Sequence, residues 1–228
     1  MTPRIVLTND DGIDAPGLAA LISAVGQMGE TVVVAPMSEW SGCGHKVTTH
    51  APIRCERRGD AYAVDGTPGD CIRVALHEIV RDAGWVLSGI NAGGNLGADI
   101  VHSGTIAAAR EAALHGRSSI AVSHYIRRGA TIDWPRAARF AGAVIADLVR
   151  EPPGPGCLWN VNLPHTDDDA MPPVVRCEPD PSPLPLAFRR DGDAFTYSGN
   201  YHQRARVPGS DVSVCFGGAI SVSRIRAF

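Results

Sequence analysis

Residues 5–17 read IVLTNDDGIDAPG. Three aliphatic residues in a row predict a buried strand, here over residues 4–8. Pro16 then suits the first turn of a helix whose apolar face recurs at Leu18, Leu21, Ile22, Val25 and Met28. Strand, polar loop, helix is the repeating unit of an α/β sheet. What sets this copy apart is the loop, which runs directly into Asn9, Asp10 and Asp11. Adjacent carboxylates repel, so the pair needs a cation, a proton or open solvent.

The unit repeats outward along the chain. TVVVAP (31–36) predicts a second buried strand, and residues 51–65 predict a hairpin around RRGD. Thr67-Pro68-Gly69-Asp70 has the pattern of an N-cap with an acidic third position, opening a helix through Ile72, Leu76, Ile79 and Val80. WVLSG (85–89), SIAVS (119–123) and CLWNVNLP (157–164) predict further strands; helices are expected over 104–116, stopped by Gly116, and over about 135–150. The alternation predicts a Rossmann-like, doubly wound, mainly parallel sheet with an inserted β-hairpin. After Pro164 prolines crowd 172–185 and extended runs follow. The expected organisation is therefore a catalytic core over 1–164, with the hairpin at about 47–66, and an irregular β-rich extension over 165–228.

Composition narrows the class. The chain has 228 residues, a net charge of -3, 44% hydrophobic and 20% charged residues, as soluble globular proteins do. That charge gives no reason to expect a nucleic-acid duplex or an anionic membrane as partner. Six scattered cysteines without a C-x-x-C pair argue against a thiolate zinc site and a secreted disulfide scaffold. The run Ile5-Val6-Leu7 is too short for a signal core, and no stretch approaches the roughly 20 apolar residues of a membrane span. A cytoplasmic location is expected. Lys46 is the only lysine.

In a doubly wound sheet, ligands bind beyond the carboxyl ends of the strands. Three such loops here are polar or glycine-rich: Asn9–Asp14, APMSEWSGCGHK (35–46) and SGINAGGNLGADIVHSGT (88–105). Together they would gather carboxylate, amide and hydroxyl oxygens, the ligands of Mg²⁺ or Mn²⁺. A helix starting near Ser103 would offer free N–H groups to a phosphate. Singly these signals are weak, since Asp after a strand caps turns and glycine marks them. No G-x-G-x-x-G follows the first strand and no G-x-x-x-x-G-K-[ST] occurs, which removes the dinucleotide and P-loop readings.

LTNDDGIDAPGL, VVAPMSEWSG, GTPGDC, LSGINAGGNLG and HSGTIAAAREA stand in the order found in the SurE (survival protein E) family, which the chain resembles strongly over about residues 4–125. The resemblance implies a 5'-nucleotidase, a divalent-metal-dependent phosphomonoesterase hydrolysing nucleoside 5'-monophosphates with one Mg²⁺ or Mn²⁺ per subunit. It implies Asp10, Asp11, Ser41 and Asn91 as metal ligands, and Asn9, Gly42, Asn95, Ser103, Gly104 and Thr105 around the phosphate. Asp10, Asp11 and Asn9 would be the catalytic group. Family members join subunits through C-terminal segments, so a homodimer or homotetramer is expected. Cys43-Gly44-His45-Lys46 departs from the family's small polar residues, and His102 stands where a tyrosine is usual; of a general-acid role for the leaving group and a packing or solvent-facing role, the second is expected of His102. An aspartyl-phosphate phosphatase is a rival, but it wants a second Asp two positions after the first, where Gly12 and Ile13 stand. A broader-specificity acid-type phosphatase and a non-catalytic nucleotide or phosphate binder are the remaining alternatives.

Overall fold

The computed structural model describes residues 4–228. Its centre is β1 (Arg4–Thr8), whose apolar run is buried on both faces. Ile5 and Leu7 point into one apolar layer with Leu18 and Leu21 of α1 (Pro16–Val25) and Phe140 and Ile145 of α5 (Trp134–Leu148). Val6 points into the other, with Ile72 of α2 (Pro68–Val74) and Ala108 and Ala112 of α4 (Gly104–Leu114). Alternation of side chains along a strand produces this division. It explains why β1 carries no polar residue between Arg4 and Thr8.

Parallel pairing joins β1 to β2 (Thr31–Pro36) on one side and to β5 (Ala83–Ala92) on the other. Beyond β5 lie β6 (Ser118–His124) and β7 (Cys157–Leu163), also parallel. The chain therefore winds outward from β1 in both directions, and the gap between β1 and β5 is the switch point where such sheets open a crevice. The NDDG loop leaves β1 at that gap.

The hairpin, β3 (Cys55–Arg58) and β4 (Ala61–Val64), extends one edge of the sheet through parallel pairing of β4 with β2. Thr67 caps α2 reciprocally with Asp70, as the motif predicts, and the helix continues as a wider π turn over Ala75–Ile79.

Three expectations need correction. Met28 lies past the end of α1, in a turn whose N–H reaches the Val25 carbonyl, although its side chain still packs on the core. Asn91 belongs to strand rather than loop: pairing of Asn91 with Ser123 and of Ala92 with His124 carries β5 past a register shift. Finally, the sheet does not stop at residue 164. β11 (Ile220–Arg226) pairs antiparallel with β7, and β8 (Val174–Arg176) lies parallel to β11, so the chain's last strand completes a nine-stranded sheet. Ile220 and Val222 on β11 supply apolar side chains that the edge at β7 would otherwise lack. Within 165–228 the only separate sheet among the described residues is the hairpin of β9 (Phe188–Asp191) and β10 (Ala194–Tyr197). A short helix, α6 (Asp211–Phe216), precedes β11.

Candidate active site

At the switch point a cleft of about 250 Å³ is lined by Asp10, Ser41, Gly42, Asn91, Asn95 and Ser103, with Asp99 and His102 at its side. Three loops far apart in sequence thus meet as expected. Asp11 faces the adjoining cleft, its carboxylate accepting the Ala92 N–H at 3.4 Å, and Ala92 borders both.

Asp10 is buried, and the fold is shaped to admit its carboxylate. A Cβ on Gly104 would stand 2.7 Å from Asp10 Oδ2 and 2.8 Å from its Cβ, so only glycine fits at the start of α4. The Thr105 hydroxyl donates to Asp10 Oδ1. Burial pushes the Asp10 pKa up to about 6; the Thr105 hydrogen bond opposes the rise and the charge of Asp11 adds to it. Burial likewise raises Asp11, opposed by the Ala92 N–H and assisted by Glu39.

Among the described residues no Arg, Lys or His forms an ion pair with Asp10 or Asp11. Nor do they hold a cluster of three or more His, Cys, Asp and Glu suited to a metal. Any cation here would rely on two carboxylates completed by neutral oxygens, the donor set of a hard ion. The Oδ1 atom of Asn9, buried without a partner, adds an unsatisfied acceptor beside them. The residues present fit a divalent cation.

The residues expected around a phosphate do not all reach the cleft. Thr105 is fully buried and turned to Asp10, because a desolvated carboxylate requires donors. Asn9 spends its amide on the Gly12 carbonyl at 2.7 Å, and neither it nor Gly104 lines the cleft. Ser103 lines it while capping α4 through the Ile106 N–H. His102 is exposed at the rim, and its carbonyl accepts the Gly44 N–H.

Other residues hold the cleft in shape and were missed by motif reading. Asn160 and Asn162 of β7 donate to the Asn95 carbonyl at 2.8 and 3.1 Å; Asn162 Oδ1 accepts the Asn95 N–H and Ser123 Oγ accepts its side-chain amide. Two asparagines at strand spacing inside a buried strand were the available signal, since a buried amide needs partners. No sequence signal marked the next clamp. Asp99, in α3 (Asp99–His102), accepts from buried Arg204 at 2.7 Å and from Tyr201, while Asp211 accepts the Gly97 N–H. The C-terminal segment thereby fixes the loop between Asn95 and Ser103.

The divergent loop is anchored too. His45 meets buried Glu111 of α4 at 2.6 Å, where Arg73 and His115 also converge, and Lys46 lies 5.2 Å from the Trp40 ring. Glu111 is held down to about 2: burial alone would raise it, and the bonds from His45, Arg73 and His115 outweigh that.

A family model described as survival protein SurE matches residues 5–179. A protein of Nostoc sp. (strain PCC 7120) is 52% identical over 224 residues, 97% of this chain and 99% of its own. The 5'-nucleotidase SurE of Myxococcus xanthus is 39% identical over 219 residues, covering 93% of this chain and 83% of that protein. Among solved structures, the SurE protein from Aquifex aeolicus superposes with a TM-score of 0.86 at 30% identity, over 99% of this chain and 94% of that one. With those motifs, that sheet order and these matches, the chain belongs to the SurE family.

Proposed function

We propose that this protein is a divalent-metal-dependent 5'-nucleotidase, hydrolysing nucleoside 5'-monophosphates to nucleoside and phosphate. The observation that carries the reading is a carboxylate pair without a cationic partner, Asp10 buried and Asp11 half-buried, beside a cleft of hydroxyl and amide oxygens. Its relatives named as 5'-nucleotidases support the substrate class.

Asp10, Asp11, Ser41 and Asn91 would hold one Mg²⁺ or Mn²⁺. When bound, such a cation neutralises the pair, polarises a phosphoryl oxygen and makes a water more acidic. The chain's own residues do the rest. Thr105 and Gly104 orient Asp10; the Asn160–Asn162 pair orients Asn95; Gly42, Asn95 and Ser103 present polar groups to the phosphate. Fixed dipoles of this kind stabilise charge on the equatorial oxygens without reorganising. No Ser or Cys with a paired base lines the cleft among the described residues, and Gly12 and Ile13 stand where a covalent aspartyl mechanism wants its second acid, which supports water as the attacking group.

Two further readings accompany this one. Leu186, Phe188, Phe195 and Tyr197 expose apolar surface around the β9–β10 hairpin, which supports a homodimer or homotetramer joined there. The six cysteines are unpaired, which suits a reducing cytoplasm. Among the described residues no helix is long and apolar enough to cross a membrane.

Turnover of p-nitrophenyl phosphate, with chelator and with added Mn²⁺, followed by a panel of nucleoside monophosphates, tests the function. Turnover that ignores the chelator would remove the metal; binding of nucleotide without turnover would leave a sensor.

A further inference from the structure

On the far side of Asp11 lies a second cleft, of about 340 Å³. Ile13, Pro16, Met37 and the indole of Trp134 make its apolar lining. Asp11, Asp14 and Ser38 supply oxygen at its margin, and no Arg, Lys or His lines it. A second phosphate would find no donor side chain of positive charge there. A flat, uncharged ring would find an aromatic face and a polarisable thioether.

The wall is rigid. Trp134 is the first residue of α5, whose N-terminus Asp133 caps through the Arg136 N–H at 3.0 Å. Its indole packs on the core beside Gly17, where a Cβ would lie 2.0 Å from the Ile90 carbonyl oxygen and 3.1 Å from the ring. Gly17 thus lets α1 press against the end of β5 with the indole alongside it. Trp134 remains half-buried, with part of the ring open to the cleft.

The two clefts are contiguous. Ala92 borders both, Asp10 lines one and Asp11 the other. A ligand with its phosphate against Asp10 would extend past Ala92 and Asp11 into the Trp134 cleft. We propose that the Trp134–Met37 cleft is the nucleobase subsite, and that stacking on Trp134 separates nucleoside monophosphates from phosphate esters without a base. The proposal rests on the phosphatase reading above and assigns the part of the substrate that the phosphate cleft leaves unexplained.

The test compares AMP with ribose 5-phosphate on the metal-loaded enzyme. Trp134→Ala is expected to raise KM for AMP about tenfold more than KM for ribose 5-phosphate, the size of one base–aromatic stack. The effect should fall mainly on KM, with kcat for AMP changing much less. Trp134→Phe should recover most of the preference, and Met37→Ala, which leaves the start of α5 intact, should erode it in the same direction. Parallel rises in both KM values, or an unchanged ratio in Trp134→Ala and Met37→Ala alike, would overturn the subsite. Should the parent hydrolyse neither ester, the phosphatase reading fails and calorimetric titration with adenosine decides the subsite separately. Binding that Trp134→Ala weakens about tenfold supports it; no binding, or equal binding, overturns it.

Discussion

Glu111→Gln is expected to destabilise the protein at neutral pH and to lose that effect in acid. The parent carboxylate is 1% exposed and meets His45 and Arg73 at 2.6 Å and His115 at 3.0 Å. Its pKa lies at about 2 against an ordinary 4.5, burial being outweighed by those hydrogen bonds. At about 1.4 kcal/mol per pH unit the difference corresponds to about 3 kcal/mol. Solvent reaches Arg73 and His115, so about 2–3 kcal/mol is the fair expectation. For a chain of this length that lowers Tm by roughly 4–12 °C. An acid with a depressed folded pKa stabilises the fold above its unfolded value and loses that contribution as pH falls through the folded one. The difference between parent and variant should therefore be level from pH 7.5 to 5 and shrink to about half by pH 3. Calorimetric or circular-dichroism melts of both chains in chelator across that range measure it. A gap that stays constant down to pH 3, or no gap at pH 7, would refute the ion-pair account of Glu111.

Asp10→Asn and Asp11→Asn should each remove most hydrolysis while the metal-free fold survives, because each relieves repulsion as it removes a ligand. Near-parental turnover of p-nitrophenyl phosphate by Asp11→Asn at limiting Mn²⁺ would strike Asp11 from the metal site. Thr105→Ala should lower kcat/KM by about 1–3 kcal/mol, the loss of a hydrogen bond to a charged group; Thr105→Ser should restore most of it, and a fully active Thr105→Ala would mean Asp10 needs no such donor. Acid quench during turnover of labelled substrate should trap no phosphoprotein, since Gly12 stands where a covalent aspartyl mechanism wants its acid. Stoichiometric label on Asp10 or Asp11 would replace water by a carboxylate as the attacking group.

Local pattern by itself determined the βα units and the oxygen-rich loops at their ends. Ile5-Val6-Leu7 reads as a strand buried on both sides, and Thr67–Asp70 as the opening of a helix, because these signals act between residues a few positions apart. The NDDG and SGIN motifs likewise supply their oxygens by residue type alone. Tertiary structure decided where those oxygens point. Thr105, expected beside a phosphate, bonds Asp10 instead because burying a carboxylate beneath Gly104 demands a donor, and that burial arises only when α4 packs against the end of β1. The dependence of the 95–103 loop on Arg204 and Asp211 was equally invisible, since partners separated by about a hundred positions leave no periodic trace. So was the place of residues 220–226: a short run with both edges free reads as an appendage. It becomes a core strand once β7 offers it an unpaired edge and an apolar layer to cover.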